Sequence, residues 1–439
     1  MPTDDRTPIN LRIQFAVYGS AMFSNSALQL YNVVVPLWAV TLTRDPLIIG
    51  IIFGARHFLP MLLLIHGGAM MDRFGTRQIM LFFASISLFI PVLYPAFPWI
   101  YSLIVLQMLG GLAVMCCWIG AQSLTGELMQ GKPVYSGRLT LATRVGTFVG
   151  PPVVGAIWDF SGPWAAFTFI SFWAALCLIS TMLLPISKSQ PSNSNSSNKN
   201  KVWDIIKESQ PKLSDYIEAF RLIAIPAILL VFLVTMLRHS GSAMQANFYV
   251  VYLNGIGISG TFIGLLFSVL GASGGAGAIS VGWLSRRFSS SMVLIAANAA
   301  GILMITLTPA IGGSGFIIAP DVVVSFLKEL GLNFNIDPIA GVVGIYILFM
   351  FAISIRGASS GVSQAMEISL IAQAAGSSQG KGAALRVTAG RVAAVFLPIF
   401  MGAIAKFFGI GASFYVVGVS ILLVLGWLGF REKNRSIQT

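Results

Sequence analysis

The chain has 439 residues, of which 56% are hydrophobic and only 10% are charged, and its formal net charge is +12. This composition excludes a set of soluble domains, in which each element buries one apolar face. The basic excess suggests nucleic-acid binding at first sight, but the placement of the basic residues favours a membrane protein instead.

Twelve apolar runs follow one another along the chain, and each has about the 20 residues that a helix needs to cross a bilayer. The runs are 12–42, 47–71, 77–97, 99–124, 137–158, 163–185, 222–253, 258–284, 290–311, 341–366, 383–405 and 411–430. We therefore predict an all-α integral membrane protein with twelve transmembrane helices.

The loops between these runs differ in charge. The loops on one side of the predicted membrane contain three basic residues, Arg44, Lys328 and Lys406. Most of the other lysines and arginines lie in loops on the side of the amino terminus. The positive-inside rule then predicts that both termini are cytoplasmic. The first apolar run is too long for a signal-peptide core, so no cleaved leader is expected. We expect a multi-pass protein of the plasma membrane, of the bacterial inner-membrane type.

Two halves of the chain repeat each other. The segment GAMMDRFG at 68–75 matches GWLSRRFS at 282–289, and 144–160 matches 391–407, where Arg144 pairs with Arg391. We predict that the chain has three parts and that the last part contains an extracytoplasmic insertion. They are a six-helix bundle at 1–186, a cytoplasmic linker with an amphipathic segment at 187–221, and a second bundle at 222–439 with its insertion at about 312–341.

Enzymatic chemistry is not indicated. The sequence has no P-loop, no nucleophile with a paired base and no metal-ligand cluster, so we expect no enzyme activity, no cofactor and no metal. Cys116, Cys117 and Cys177 all lie in apolar runs, and buried packing is the expected role of each.

The loop after the second run carries a recognisable motif. Together with the two six-helix halves, it closely resembles the major facilitator superfamily, whose motif is G-x-x-x-D-R-x-G-x-[RK]. The matching residues are Gly68, Asp72, Arg73, Gly75 and Arg77. The resemblance implies two pseudo-symmetric bundles, alternating access, and a gate at these residues.

By the same resemblance, Asp72 would meet Arg386 at the start of helix 11, and Arg73 or Arg77 would meet Glu127. The repeat suggests a mirror pair, in which Arg286 or Arg287 meets Glu367. These residues are predicted gate elements rather than substrate ligands. A monomer is the expected state.

The fifth run has a glycine motif typical of antiporters and exporters in this superfamily. Gly146, Gly150, Pro151 and Gly155 fit most of it, although Val154 replaces one glycine. Glycine and proline allow close packing and a local bend. The motif favours export or exchange. A proton-coupled multidrug antiporter is an alternative, disfavoured because the first run has no acidic residue. A membrane receptor or assembly factor on the same scaffold is another.

Five arginines lie deep in apolar runs, and no acidic residue is expected near them at mid-depth. They are Arg56, Arg144, Arg238, Arg356 and Arg391. A charge at the bilayer centre costs roughly 2.5 to 3.5 kcal/mol, so unmatched arginines normally mark a pathway. Guanidinium groups suit carboxylate, phosphate or sulfonate. We therefore predict a secondary transporter of a small organic anion.

Helical spacing adds polar residues to the candidate substrate site beside the five arginines. The additional candidates are Asn25, Gln29, Asn32, Gln245 and Tyr249, with Trp118 as a stacking aromatic. His57 and His239 each follow an arginine directly and are the candidates for proton coupling, because histidine titrates near physiological pH. The expected partners are the lipid bilayer, an anionic substrate, and protons or a counter-anion, with no nucleic acid.

Overall fold

The structure is a computed structural model that describes residues 10–129, 133–185, 224–313, 341–374 and 379–438. The regular structure of these ranges is helical, with no β-strand among them. The predicted linker at 187–221 and most of the predicted insertion at 312–341 lie outside the described residues.

The described residues of the first half form six helices. Four of them are α1 (Leu11–Leu42), α2 (Pro46–Phe74), α3 (Thr76–Ala96) and α4 (Ile100–Met129). The next helical stretch, Pro133–Met182, is divided at Gly162, whose φ of 77° and ψ of −173° are not helical. We number its two arms α5 (133–161) and α6 (163–182). Glycine allows this joint because a positive φ is strained for other residues.

The second half repeats this arrangement. α7 runs through Pro226–Met244, a π-helical turn at Gln245–Tyr249, and Val250–Gly255. α8 is Gly260–Arg287, and α9 combines Ser290–Thr306 with Thr308–Gly312. The last three helices are α10 (Gly341–Ala374), α11 (Gln379–Phe408) and α12 (Ile410–Gln438). In the described ranges, the order of the helices agrees with the prediction.

Ten helices of the described ranges are long and apolar enough to span a membrane, judged by length and composition. Two differences in counting separate these ten spans from the twelve that we expected. α5 and α6 are counted together as one long span at Leu141–Met182, and α1 is not among the ten. α1 carries a polar stripe that includes Asn25, Gln29 and Asn32, which reduces its average hydropathy.

Within the described ranges, short turns join α1 to α2, α2 to α3, α3 to α4, α5 to α6, α7 to α8, α8 to α9 and α11 to α12, and each of these pairs reverses direction. We call the side on which α1 begins the terminal face. The other side is the distal face, which carries residues 43–45, Gly162, residues 256–259 and Gly409. A large apolar core contains buried residues of both halves, and Phe53 of α2 meets Phe248 of α7 edge to face at 5.8 Å. The two halves are therefore packed together around these residues.

Glycines bring the halves into backbone contact. α5 packs on α8 where Gly155 faces the carbonyl oxygen of Gly260 and Gly264 faces that of Pro151. α2 packs on α11 in the same way through Gly50 and Gly402. Because small residues let membrane helices approach closely, these glycines set the distance between the two halves. The three cysteines are buried, as expected, and none of them forms a disulfide.

Candidate functional site

Arg56 is the centre of a polar network between α1 and α2. Its side chain is 7% exposed, and it donates to Asn32 Oδ1 at 2.8 Å and to the Leu28 carbonyl at 3.1 Å. Asn32 in turn donates to Gln29 Oε1 at 3.2 Å, and the guanidinium lies 5.0 Å from the centroid of the Tyr31 ring. The structure thus joins three of the predicted site residues. Asn25 lies two turns away on α1 and is half-buried.

Four basic side chains from three helices meet between the halves. His57 of α2 is close enough to Arg391 of α11, Arg56 of α2 and His239 of α7 for electrostatic interaction with each of them. We call these four residues the central basic cluster. Arg391 is also within electrostatic range of Arg56. The cluster therefore draws two residues from each half of the protein.

Arg391 reaches across to the first half, where its Nη2 donates to the Met115 sulfur at 3.3 Å. A thioether is a weak acceptor. In the described ranges, neither Arg391 nor Arg56 forms an ion pair. Two permanent positive charges from different halves therefore lie within electrostatic range of each other, and neither has a carboxylate partner among the described residues.

His239 is held with one edge toward α11. Its Nδ1 lies 2.9 Å from the Thr235 carbonyl, which can only accept, so we assign the proton to Nδ1. The other ring nitrogen, Nε2, would be 2.8 Å from a Cβ placed at Gly390. Glycine at position 390 of α11 therefore makes room for the imidazole of α7.

Arg238 has a different environment from the one that we predicted. It forms a two-pronged ion pair with Glu367 of α10, with Nε at 2.8 Å from Oε1 and Nη2 at 3.1 Å from Oε2. The two side chains are 8% and 0% exposed. The expectation that no acid lies near the deep arginines is wrong for Arg238. Glu367, expected to meet Arg286 or Arg287, here binds Arg238.

Arg356 lies inside the second half. It is 3% exposed, and its Nη2 is 3.4 Å from Ser242 Oγ. Cβ atoms placed at Gly241 of α7 and Gly301 of α9 would lie 3.1 and 2.9 Å from its terminal nitrogens. Its surroundings are thus α7 and α9 of its own bundle. This position differs from the central placement that we expected for a substrate ligand.

Arg144 of the first half contacts the second half, whereas Arg391 of the second half contacts the first. The Nη1 of Arg144 donates to the Gly271 carbonyl of α8 at 3.2 Å, and Arg144 is exposed. Arg144 and Arg391 are matched by the sequence repeat, and each contacts the half to which it does not belong. Gly146 and Gly150 of the same motif pack α5 against Met22 and Leu30 of α1.

The aromatic and amide candidates are in packed surroundings. Trp118 packs against a cluster of apolar residues from α1, α3, α4 and α5. Tyr249 is 3% exposed and meets Phe349 edge to face at 6.1 Å. Gln245 is also buried and begins the π-helical turn of α7. These contacts favour a packing role for Trp118 and Tyr249 in this conformation.

The gate motif is described in part. Gly75 has a φ of 89°, which confirms the glycine-dependent turn between α2 and α3. Arg77 donates to the Met182 carbonyl at 3.1 Å, and Arg287 stacks on Trp283 at 4.7 Å. Glu127 was the expected partner of Arg77. The described part of the chain does not include the surroundings of Gly68 or the side chains of Asp72, Arg73, Glu127 and Arg386.

Two polar clamps hold the halves together at the distal face, and we did not predict either of them. Asp159 of α5 accepts from the backbone nitrogens of Gly260 at 2.9 Å and Thr261 at 2.7 Å, and from the Thr261 hydroxyl at 2.6 Å. Lys406 of α11 binds Asp45 at 2.8 Å. Asp45 caps the first turn of α2, and Asp159 binds the first turn of α8, where a negative charge is favourable.

The sequence did contain a signal for these clamps. In the repeat that matches 144–160 with 391–407, Asp159 occupies the place of Lys406. Each residue ends its helix at the distal face and binds the start of a helix in the other half. The repeat therefore indicated that the two positions have the same role, although their charges are opposite.

The Asp45 clamp should respond to acid. The hydrogen bond from Lys406, followed by that from the Leu47 backbone, holds the pKa of Asp45 below its usual value near 3.9. The stabilisation is therefore present above the usual pKa and is lost as the pH falls through the depressed one. We expect Asp45→Asn to lower the melting temperature at pH 6, and the difference from the unsubstituted protein to shrink below about pH 4. A difference that is constant with pH would contradict this.

Comparisons with known proteins agree with the architecture. The family model described as Major Facilitator Superfamily matches residues 15–336. No curated protein sequence matches the chain. Similar solved structures include a substituted form of the nucleoside transporter NupG, with a TM-score of 0.71 and 12% identity, covering 96% of this chain and 99% of that one.

Another similar structure is a POT family transporter in complex with a thioalcohol-conjugated peptide. Its TM-score is 0.66 at 13% identity, with 96% of each chain covered. At such identities the likeness shows the fold alone. The family match covers well over half of the chain. The chain belongs to the major facilitator superfamily and is a multi-pass membrane transporter of that family.

Proposed function

We propose that this transporter carries a small organic anion of carboxylate, phosphate or sulfonate type by alternating access between its two halves. The observation that carries the proposal is the central basic cluster. It places Arg56 and Arg391, neither of which has an ion pair among the described residues, beside His57 and His239.

The cost of burying these charges supports the proposal. A charged side chain in the bilayer centre costs roughly 2.5 to 3.5 kcal/mol, and arginine stays charged because its pKa is too high to release the proton. An anion between Arg56 and Arg391 would neutralise that charge and replace the weak thioether acceptor of Met115. Gln29 and Asn32 support Arg56 from α1 and fix the position of its guanidinium.

The surroundings of Arg238 and Arg356 suggest a secondary role for them. Glu367 already compensates Arg238, and Arg356 faces α7 and α9. We therefore assign direct anion binding to Arg56 and Arg391, and stabilisation of the second bundle to Arg238 and Arg356. His57 and His239 are the groups that we propose for proton coupling, because a bound anion would offset the arginine charges that otherwise oppose their protonation.

For direction, we propose export or exchange from a plasma membrane of bacterial type in which the terminal face is cytoplasmic. A negative interior drives an anion outward with about 2.3 kcal/mol per charge per 100 mV. The helix-5 glycine motif supports this proposal, since it resembles that of antiporters and exporters in the superfamily, and its Gly155 and Pro151 lie in the contact of α5 with α8. We propose that the transporter acts as a monomer.

Thermal stability of the detergent-purified protein tests the substrate class. We expect carboxylates, phosphates or sulfonates to raise the melting temperature, and lipophilic cations to have no effect. A ligand at 100 times its dissociation constant adds about 2.7 kcal/mol of stability. Arg391→Gln should weaken anion binding by about tenfold or more, since a hydrogen bond to a charged group contributes about 1.5 to 3 kcal/mol.

The matched control is Arg431→Gln, which removes an exposed arginine that stacks on Trp427 in α12. Its affinity for the anion should equal that of the unsubstituted protein. If only cations raise the melting temperature, and Arg391→Gln leaves their effect unchanged, the anion proposal fails and multidrug efflux replaces it. Exchange of a labelled ligand across liposomes would then separate transport from binding alone.

A further inference from the structure

The central basic cluster has a net positive charge that follows from its four side chains. Arg56 and Arg391 each bring one permanent positive charge, while His57 and His239 are neutral when unprotonated. Among the described residues no acidic side chain pairs with either arginine. The nearby Arg238 is compensated by Glu367 and adds no net charge. Among the described residues, the central basic cluster therefore has an excess of two positive charges when both histidines are neutral.

The two arginines also belong to different halves. Arg56 is anchored in the first half by Asn32 and the Leu28 carbonyl. Arg391 comes from α11 of the second half and reaches Met115 of α4. Because like charges repel more strongly where water is scarce, two guanidinium groups within electrostatic range of one another oppose closure of the halves around them.

From this arrangement we infer that the substrate is an organic dianion, which neutralises Arg56 and Arg391 together and so allows the two halves to close around it. The inference rests on the proposed function and deepens it. A monoanion would leave one guanidinium uncompensated in the closed site. A dicarboxylate and a phosphate monoester both satisfy the requirement, since each carries two negative charges at neutral pH.

Two matched ligand pairs test the count of charges at pH 7.5, where the phosphate monoester is doubly ionised. Succinate is compared with its monomethyl ester, and phenyl phosphate is compared with phenyl sulfate. Each pair keeps the skeleton and changes the charge from two to one. We expect one dianion to bind about tenfold or more tightly than its monoanionic partner, as measured by the concentration dependence of the melting temperature. The pair that shows the effect separates dicarboxylates from phosphate esters.

Substitutions then assign the effect to the cluster. In Arg391→Gln the dianion should lose its advantage, so that the ratio of the two dissociation constants falls to about one. Arg391→Lys keeps the charge and should keep a clear preference for the dianion. Arg431→Gln, the exposed control on α12, should leave the ratio unchanged. The melting temperature of each unliganded variant shows whether the variant is folded.

Failure of this inference is distinct from failure of the proposed function. If monoanions bind as tightly as their dianionic partners, or if the preference survives in Arg391→Gln and in Arg56→Gln, the dianion inference is overturned and anion transport still stands. If none of the four ligands binds, and lipophilic cations bind instead, both are overturned.

Discussion

Replacing Glu367 with leucine should destabilise the protein by about 3 to 5 kcal/mol, because it leaves the guanidinium of Arg238 buried without its carboxylate partner. Both side chains are almost fully buried, and the two bonds of 2.8 and 3.1 Å join α7 to α10. Chemical unfolding in detergent micelles, followed by helical circular dichroism, measures the change in the free energy of unfolding.

The double variant Arg238→Met with Glu367→Leu is the control for this prediction. It removes both charges, and apolar replacement of a buried pair is often neutral or stabilising. We expect it to be more stable than either single variant. A double variant as unstable as the sum of the two singles would show that the pair contributes nothing through its mutual attraction.

Replacing Gly264 with alanine should impair closure of the distal face and reduce transport by about tenfold or more. A Cβ at this position would overlap with the carbonyl oxygen of Pro151, which is backbone and cannot rotate away. Forcing extra atoms into such a contact costs typically about 1 to 3 kcal/mol, and each 1.4 kcal/mol corresponds to a factor of about ten. Exchange of labelled substrate across liposomes gives the rate.

Gly275 on the same helix provides a matched control, because a Cβ there would meet nothing within 4 Å. Gly275→Ala should transport normally. Spin labels at positions 44 and 407, on the distal ends of the two halves, should be farther apart in Gly264→Ala than in Gly275→Ala. An unchanged distance together with full transport in Gly264→Ala would show that this contact does not limit closure.

The helices could be predicted from the sequence because apolar length is a local property. The apolar runs do not include the charged ends of the helices. α2 continues to Phe74 and α4 continues to Met129, each beyond the end of its run. Backbone hydrogen bonding continues past the apolar span wherever nothing interrupts it, and a hydropathy pattern does not detect that continuation. The joint at Gly162 was predicted as a gap between two runs, and it is a single residue.

The residue types of the candidate site could be predicted from the sequence, but the contacts between these residues could not. Buried arginines were expected to gather, and Arg56 and Arg391 do so. The Arg238 to Glu367 pair joins residues 129 apart in the chain. Helical spacing relates residues on one helix, and it does not determine how two helices are rotated toward each other. The repeat contains more of this information, since its alignment of 144–160 with 391–407 places Asp159 opposite Lys406.

The π-helical turn at Gln245–Tyr249 has a consequence for how the two halves of this chain, and other members of its family, are compared. A π turn contains one residue more than the α turn that it replaces, because its hydrogen bonds join residues five apart instead of four. α1, the counterpart of α7 in the first half, is α-helical throughout Leu11–Leu42. An ungapped alignment of α1 with α7 can therefore match residues before the π turn or after it, but not both. Placing a one-residue gap within 245–249 restores the correspondence on both sides, so that Phe248 and Tyr249 can be compared with the correct positions of α1.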